Sequence, residues 1–343
     1  MDSDYGIPWG ELAKEGGFDN RLENDGLARE LFLYRYPEWR EQFNTGSESD
    51  HMKRAIRLYS ALPGVNFFWH DWVDVLIEDW CNSDVSCIWG PSSIGKSAVL
   101  ALICLMDFLA DPFNTSYLVI TNIMDKHNDR FWGNLMGWYG KLPEQWKVGK
   151  DLGKPLGLFT QRSTGADEVK VKSGPDRGFL CRAMAKGEAI EKVKEVVGTH
   201  AARNRLIVDE PQSCNLAILD IGKNFGASGH YKEKLMGNPT TWDDALGKAS
   251  DPATVERSDC SQRGVNKWEN KRIRRGVPSV TVVLDGRDIP WYDNDPDGVP
   301  LLHTSEVKQV VDKIAAEIPL SQSEFTYSVG RIQPMGTTAT MCF

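Results

Sequence analysis

The run Gly90-Pro91-Ser92-Ser93-Ile94-Gly95-Lys96-Ser97 limits what this chain can fold into more than any other stretch. It fits G-x-x-x-x-G-K-[ST], the phosphate-binding loop that joins a strand to a helix. Its flanks agree. Val85-Ser86-Cys87-Ile88-Trp89 ahead of it is short and β-prone, and Ala98 to Met106 behind it is apolar and helix-compatible. Glycine lets the backbone curl so that N–H groups face an anion, and the N-terminus of the next helix adds partial positive charge. The pattern predicts that Gly90, Pro91, Ser92, Ser93, Ile94 and Gly95 wrap the phosphates of ATP. Lys96 would reach the β- and γ-phosphates, and the Ser97 hydroxyl would hold Mg²⁺.

Such a loop needs a carboxylate partner, and Leu206-Ile207-Val208-Asp209-Glu210 supplies one: an apolar strand ending in two acids. Ligands of open α/β sheets bind at the carboxyl ends of strands. Asp209 would hold Mg²⁺, and Glu210 would orient and polarise an attacking water. The Asp-Glu pair favours NTPases with an added catalytic glutamate over kinases and small GTPases. A third element, Met236-Gly237-Asn238-Pro239-Thr240-Thr241, follows a short strand. Asn238 carries one amide donor and one acceptor, suited to sensing a γ-phosphate. Gly-Asn-Pro is also strong turn chemistry; the two preceding motifs favour the sensor.

The rest of the chain is compatible with this reading. Its 343 residues suffice for one large domain or two. The formal net charge of −8 excludes a global basic field, so any nucleic-acid contact must come from a local patch. Seven scattered cysteines without a C-x-x-C pair argue against zinc and disulfides and for a reducing compartment. The start, Met1-Asp2-Ser3-Asp4-Tyr5, lacks a hydrophobic signal region. The longest apolar run, Ala98 to Ala110, contains Asp107 and falls short of the roughly 20 residues a bilayer requires. Cytosol or nucleoplasm is the default.

Three segments are expected: helices over 1–64, a P-loop ATPase domain over 65–335 and a tail over 336–343. Helices are expected over Leu27–Tyr34, Met52–Leu62, Asp71–Trp80, Asp125–Tyr139, Glu188–Val197 and Leu216–Phe225. Strands are expected at Ser116–Thr121, Gly178–Arg182, Arg205–Val208, Lys234–Met236 and Ser279–Leu284. Alternation of strands with helices predicts an α/β fold, a P-loop NTPase of RecA-like, additional-strand type: a mostly parallel sheet flanked by helices, with an N-terminal helical segment. Phe67, Phe68 and Trp69 stand shortly before the P-loop strand, where they fit either an adenine stack or plain core.

The order of the three motifs resembles the ATPase domain of the large terminase subunit of tailed bacteriophages, over roughly residues 65 to 335. Gly198-Thr199-His200-Ala201, ahead of the acidic strand, and Ser323 to Arg331 are similar to flanking segments of that family. The resemblance implies an ATP-driven motor that moves double-stranded DNA into a capsid in the host cytoplasm. It also implies a homo-oligomeric ring on a portal protein, a small terminase subunit as partner, and no membrane. It gives Lys96 and Ser97 the phosphate and Mg²⁺ roles, Asp209 the Mg²⁺ role, Glu210 the catalytic role and Asn238 the coupling role.

The chain also departs from the family. A large terminase carries a nuclease domain after the ATPase; this sequence stops at Phe343, so endonuclease activity is not expected of these residues. The family's catalytic arginine has no clean counterpart: Val196 and Val197 stand where it often lies, leaving Arg203 as the candidate, with Arg205 beside it. The alternative for Arg203 is a surface arginine that caps the strand entry. Asp293 to Gly298 looks like the head of a calcium loop, but Thr304 replaces the closing glutamate, so an acidic turn is expected. Lys267, Lys271, Arg272, Arg274 and Arg275 form a dense basic cluster, either a DNA-tracking patch or a solvated segment. The six histidines are dispersed and no G-x-S-x-G elbow occurs. Two rival functions remain open on sequence: a helicase-like ATPase, and a nucleotide-binding assembly module that does not hydrolyse.

Overall fold

A computed structural model describes residues 5–14, 20–122, 131–149, 154–155, 168–174, 177–183, 201–225, 229–286, 288, 312–313, 316, 318 and 320–333. The expected helix at 188–197, the 198–200 flank, the acidic turn at 293–298, the tail at 336–343 and the first residues of the 125–139 helix lie outside these.

Eight strands form one sheet: β1 (Val85–Trp89), β2 (Thr115–Thr121), β3 (Glu168–Gly174), β4 (Arg177–Ala183), β5 (Arg203–Asp209), β6 (His230–Gly237), β7 (Lys267–Arg274) and β8 (Val277–Val283). The order across the sheet is β3-β4-β2-β5-β6-β1-β8-β7. The six from β4 to β8 run parallel, and each edge is closed by one antiparallel hairpin strand. The acidic strand β5 is not the neighbour of the P-loop strand β1; β6 lies between them, an additional-strand order.

Both faces of the sheet are covered, and the period of two along each strand sorts side chains between them. Ile88, Val119 and Ile207 enter one core, while Cys87, Trp89, Leu118, Ile120, Leu206 and Val208 enter the other. The first core is closed by α1 (Trp9–Lys14), α2 (Gly26–Arg35), α4 (Glu48–Ser60), α5 (Asp71–Asn82), the central α6 (Lys96–Ala110) and α7 (Phe131–Gly140), with α3 (Pro37–Phe43) between α2 and α4. Starts and stops follow local chemistry. Asp25 caps α2, Pro37 opens α3, and Ser47 with Asp50 makes the capping box of α4. The N-terminal helices thus share their core with α6. The second core takes α8 (Ile218–Phe225) and α9 (Ala245–Ala249). Last comes α10 (Gln322–Val329), opened by a Ser321–Glu324 capping box and closed by Gly330 at φ 77°. Among the described residues no helix is long and apolar enough to cross a membrane.

Two expectations change. β6 begins at His230, not at Lys234, because the charges in its first half are satisfied internally. Lys234 donates to Asp79 at 2.8 Å, Lys232 to the Trp80 carbonyl at 2.5 Å, and Glu233 takes Arg272. The basic cluster is neither a patch nor a solvated segment as a whole. It lies on edge strand β7 and the Arg275-Gly276 turn, where both residues have positive φ, as a two-residue hairpin requires. Strand alternation splits it: Arg272 and Arg274 turn inward to Glu233, and Lys271 bridges to Asp251 at 3.0 Å.

Candidate nucleotide site

Register brings the motifs together. Trp89 of β1 lies opposite Gly237 of β6, and Asp209 of β5 lies opposite Met236. The P-loop, the acidic pair and Asn238 therefore leave the sheet side by side at its carboxyl edge. Ser93 and Gly95 adopt positive φ, 63° and 84°, which turns the loop into α6. Gly95, the N-cap of this 15-residue helix, offers no side-chain bond to the first-turn amides.

Lys96, only 6 % exposed, donates to the Gly90 carbonyl at 3.1 Å, to the Pro91 carbonyl, and to Asn238 Oδ1 at 2.9 Å. Asn238 in turn donates to Ser92 Oγ. The Ser97 hydroxyl donates to Asp209 Oδ1 at 3.1 Å. A hydroxyl and a carboxylate meeting on one point are the hard oxygen donors that Mg²⁺ prefers, so these residues fit the implied ion. Glu210 leaves β5 at φ 61°, a left-handed conformation that non-glycine residues seldom adopt and that clusters at functional sites. Its N–H donates to the Met236 carbonyl at 2.8 Å, pinning the turn to β6. Gln212 Nε2 donates to Glu210 Oε2.

The structure does not bring Arg203 to this edge. It is the first residue of β5, six steps and roughly 20 Å from Asp209 at the strand's usual rise. Its guanidinium pairs with Asp107, as does that of Arg205 at 3.0 Å. Arg203 is thus a buried structural cation, and its expected catalytic role is withdrawn on geometry. The aromatic head is divided: Phe68 is exposed, while Phe67 sits edge-on to Trp138, whose indole N–H donates to the Ala98 carbonyl at 2.9 Å.

Three contributors escaped the sequence reading. Gln212 buttresses Glu210, and it fits because residue 237 is glycine; a Cβ there would collide with the Gln212 side chain. Tyr327 of α10 accepts the Ser92 N–H at 2.8 Å, so one loop amide faces this helix. Gly330 lies so close that a Cβ would strike the Gly90 and Pro91 backbone. The Ser323–Arg331 similarity marked this segment, but nothing in its composition shows that it rests on the P-loop. Arg331, fully buried, anchors it through Asp285 at 2.7 Å and the carbonyls of Cys260 and Val265.

Fold and motif geometry together define a P-loop NTPase with an additional strand. No family model matches the chain, and no curated protein matches it. Among solved structures, it is similar to the large terminase ATPase domain of Thermus phage P74-26, with TM-score 0.43 and 10 % identity over 78 % of this chain and 95 % of that one. An arginine mutant of that domain gives 0.46 and 9 % over the same shares. The large terminase of bacteriophage HK97 gives 0.48 and 12 %, covering 82 % of this chain and 55 % of that one. Likenesses this distant say nothing of what the chain binds or does.

Proposed function

We infer that the chain hydrolyses ATP and uses the energy to move double-stranded DNA into a viral capsid. The observation that supports the chemistry is the pairing of the Ser97–Asp209 bond at 3.1 Å with the Lys96–Asn238 bond at 2.9 Å across three strands of one sheet edge. In the proposed mechanism Lys96 turns its ammonium from the loop carbonyls to the β- and γ-phosphates. Ser97 and Asp209 would hold Mg²⁺, which when bound neutralises phosphate charge. Glu210 orients a water in line with the γ-phosphate and polarises its O–H bond. Asn238, released from Lys96, reports whether the γ-phosphate is present. The DNA substrate, the portal protein, the small terminase subunit, a ring of identical chains and the host cytoplasm rest on the motif resemblance alone.

Glu210→Ala tests the chemistry. It should keep ATP bound while turnover falls by about 10²–10⁴. Wild-type turnover in that variant would remove Glu210 from the chemistry; function kept while turnover is lost would leave ATP a purely organising role. The motor half needs a second measurement, ATP-dependent uptake of duplex DNA by portal-bearing capsids; strand separation without uptake would point to a helicase-like enzyme instead.

A further inference from the structure

At the amino edge of the sheet, remote from the P-loop, lies a half-open cavity of about 290 Å³ walled by Arg35, Arg40, Glu48, Arg203, Arg205 and Lys232. Their charges do not balance. Arg203 and Arg205 share one carboxylate, Asp107. Arg35 has Asp111 at 2.9 Å. Arg40 stands 3.8 Å from Glu48 and otherwise donates to the carbonyls of Leu33 and Tyr34 at 2.5 and 2.7 Å. Among the described residues, Lys232 donates to carbonyls alone, of Trp80 at 2.5 Å and Cys81 at 3.3 Å. Five cations thus line one concavity against the three carboxylates paired with them, and Asp84 acts on His230 at its mouth, which leaves a net positive surplus. Concentrating like charge in a part-buried space is costly unless an anion joins it.

We propose that this cavity binds a phosphate-class anion, as inorganic phosphate or pyrophosphate or as the terminal phosphate of a nucleotide. The positive surplus favours an anion, and guanidinium forks match its oxygen geometry. The space admits an orthophosphate or a pyrophosphate with attendant water, and no duplex. Two neighbours agree with a positive field. Burial pushes the Glu48 carboxyl up. His230, at the mouth, is held at about 4 by burial and then by Arg205, Lys232 and Arg203. The cavity also lies on β5 and β6, the strands that end in Asp209 and Asn238.

The P-loop would bind the same anions, so the test uses the full chain carrying Lys96→Ala. Calorimetric titration with pyrophosphate should still show one site. Adding Arg40→Gln should weaken it about tenfold with the circular dichroism spectrum unchanged, and Arg40→Lys should recover part. Pyrophosphate binding more tightly than ADP assigns the site to free anions; the reverse assigns it to a nucleotide. The proposal is overturned if folded Lys96→Ala binds none of phosphate, pyrophosphate and ADP at millimolar concentration, or if Arg40→Gln leaves binding untouched. A 5′-phosphorylated oligonucleotide that binds where these small anions do not would overturn it equally.

Discussion

β5 and β6 each have two chemically different ends. At their carboxyl ends stand Asp209, Glu210 and Asn238; at their amino ends Arg203, Arg205 and Lys232, all at least as buried as Lys96 of the P-loop. The mere presence of buried charge therefore does not tell the ends apart. What differs is the backbone around them. The carboxyl end has a glycine loop, a left-handed glutamate and a helix N-terminus, which let a ligand approach main-chain amides. The amino end has other side chains already in place: Asp107 receives both arginines and the hydroxyls of Tyr34 and Tyr117 at 2.6 and 2.5 Å. One end is built to exchange partners and the other to keep them, with a cationic remainder.

Glu210→Ala, with its loss of about 10²–10⁴ in turnover, should leave the melting temperature near wild type. Asp107→Asn should do the reverse. It strands two buried guanidinium groups, and breaking a buried pair this way costs about 3–5 kcal/mol. Urea denaturation measures the loss. Burial raises the Asp107 carboxyl, but Arg203 and Arg205 outweigh it and hold the group far below the ordinary carboxylate range. A carboxylate so depressed contributes stability above its unfolded pKa and loses it as the pH falls through acid.

Arg203→Gln sharpens the comparison at intermediate size. Arg205 still faces Asp107, so the stability loss should be smaller than for Asp107→Asn, and turnover per folded molecule should stay at wild type. A fall of about 10³ in kcat with the fold intact would restore Arg203 as a catalytic arginine, presented to a neighbouring copy. Gly330→Ala comes next. The left-handed φ alone costs about 1–2 kcal/mol in an L-residue, and the methyl presses on Gly90 and Pro91. Weaker ATP binding with the acidic pair untouched is expected; unchanged affinity would mean that α10 does not brace the loop.

The carboxyl end was legible in sequence because each of its parts is local. A loop, two acids at a strand end and an Asn-Pro turn all announce themselves within a few residues, and parallel register then aligns them. The amino end was not, because its partners come from distant elements: Asp107 from α6, Arg203 and Arg205 from β5, Tyr34 from α2. In sequence, Asp107 merely interrupts an apolar run and Arg203 invites a catalytic reading. β6 reads short in sequence for the same reason: the charges of Lys232 and Glu233 stop the expected strand at Lys234 until Trp80 and Arg272 are in view. The antiparallel β3 and β7 escape a sequence reading because edge strands alternate charge with apolar residues and carry too little hydrophobic signal.

The smallest effect probes the amino end by pH. His230 falls from 6.5 to about 4, through burial first and then through Arg205 and Lys232, with Asp84 opposing. Between those values the unfolded chain binds a proton that the folded chain refuses. Stability therefore declines as pH falls from about 6.5 to about 4 and levels off below. Glu48, raised by burial, acts in the opposite sense on acidification, so the clean quantity is the difference between wild type and His230→Gln across that window. The variant should lose less stability on acidification. Saturating pyrophosphate should narrow the gap, because an anion in the cavity offsets the three cations that keep His230 neutral. Superimposable profiles without the anion would mean that the positive field at this end is already cancelled, and the contrast between the two ends would reduce to backbone shape alone.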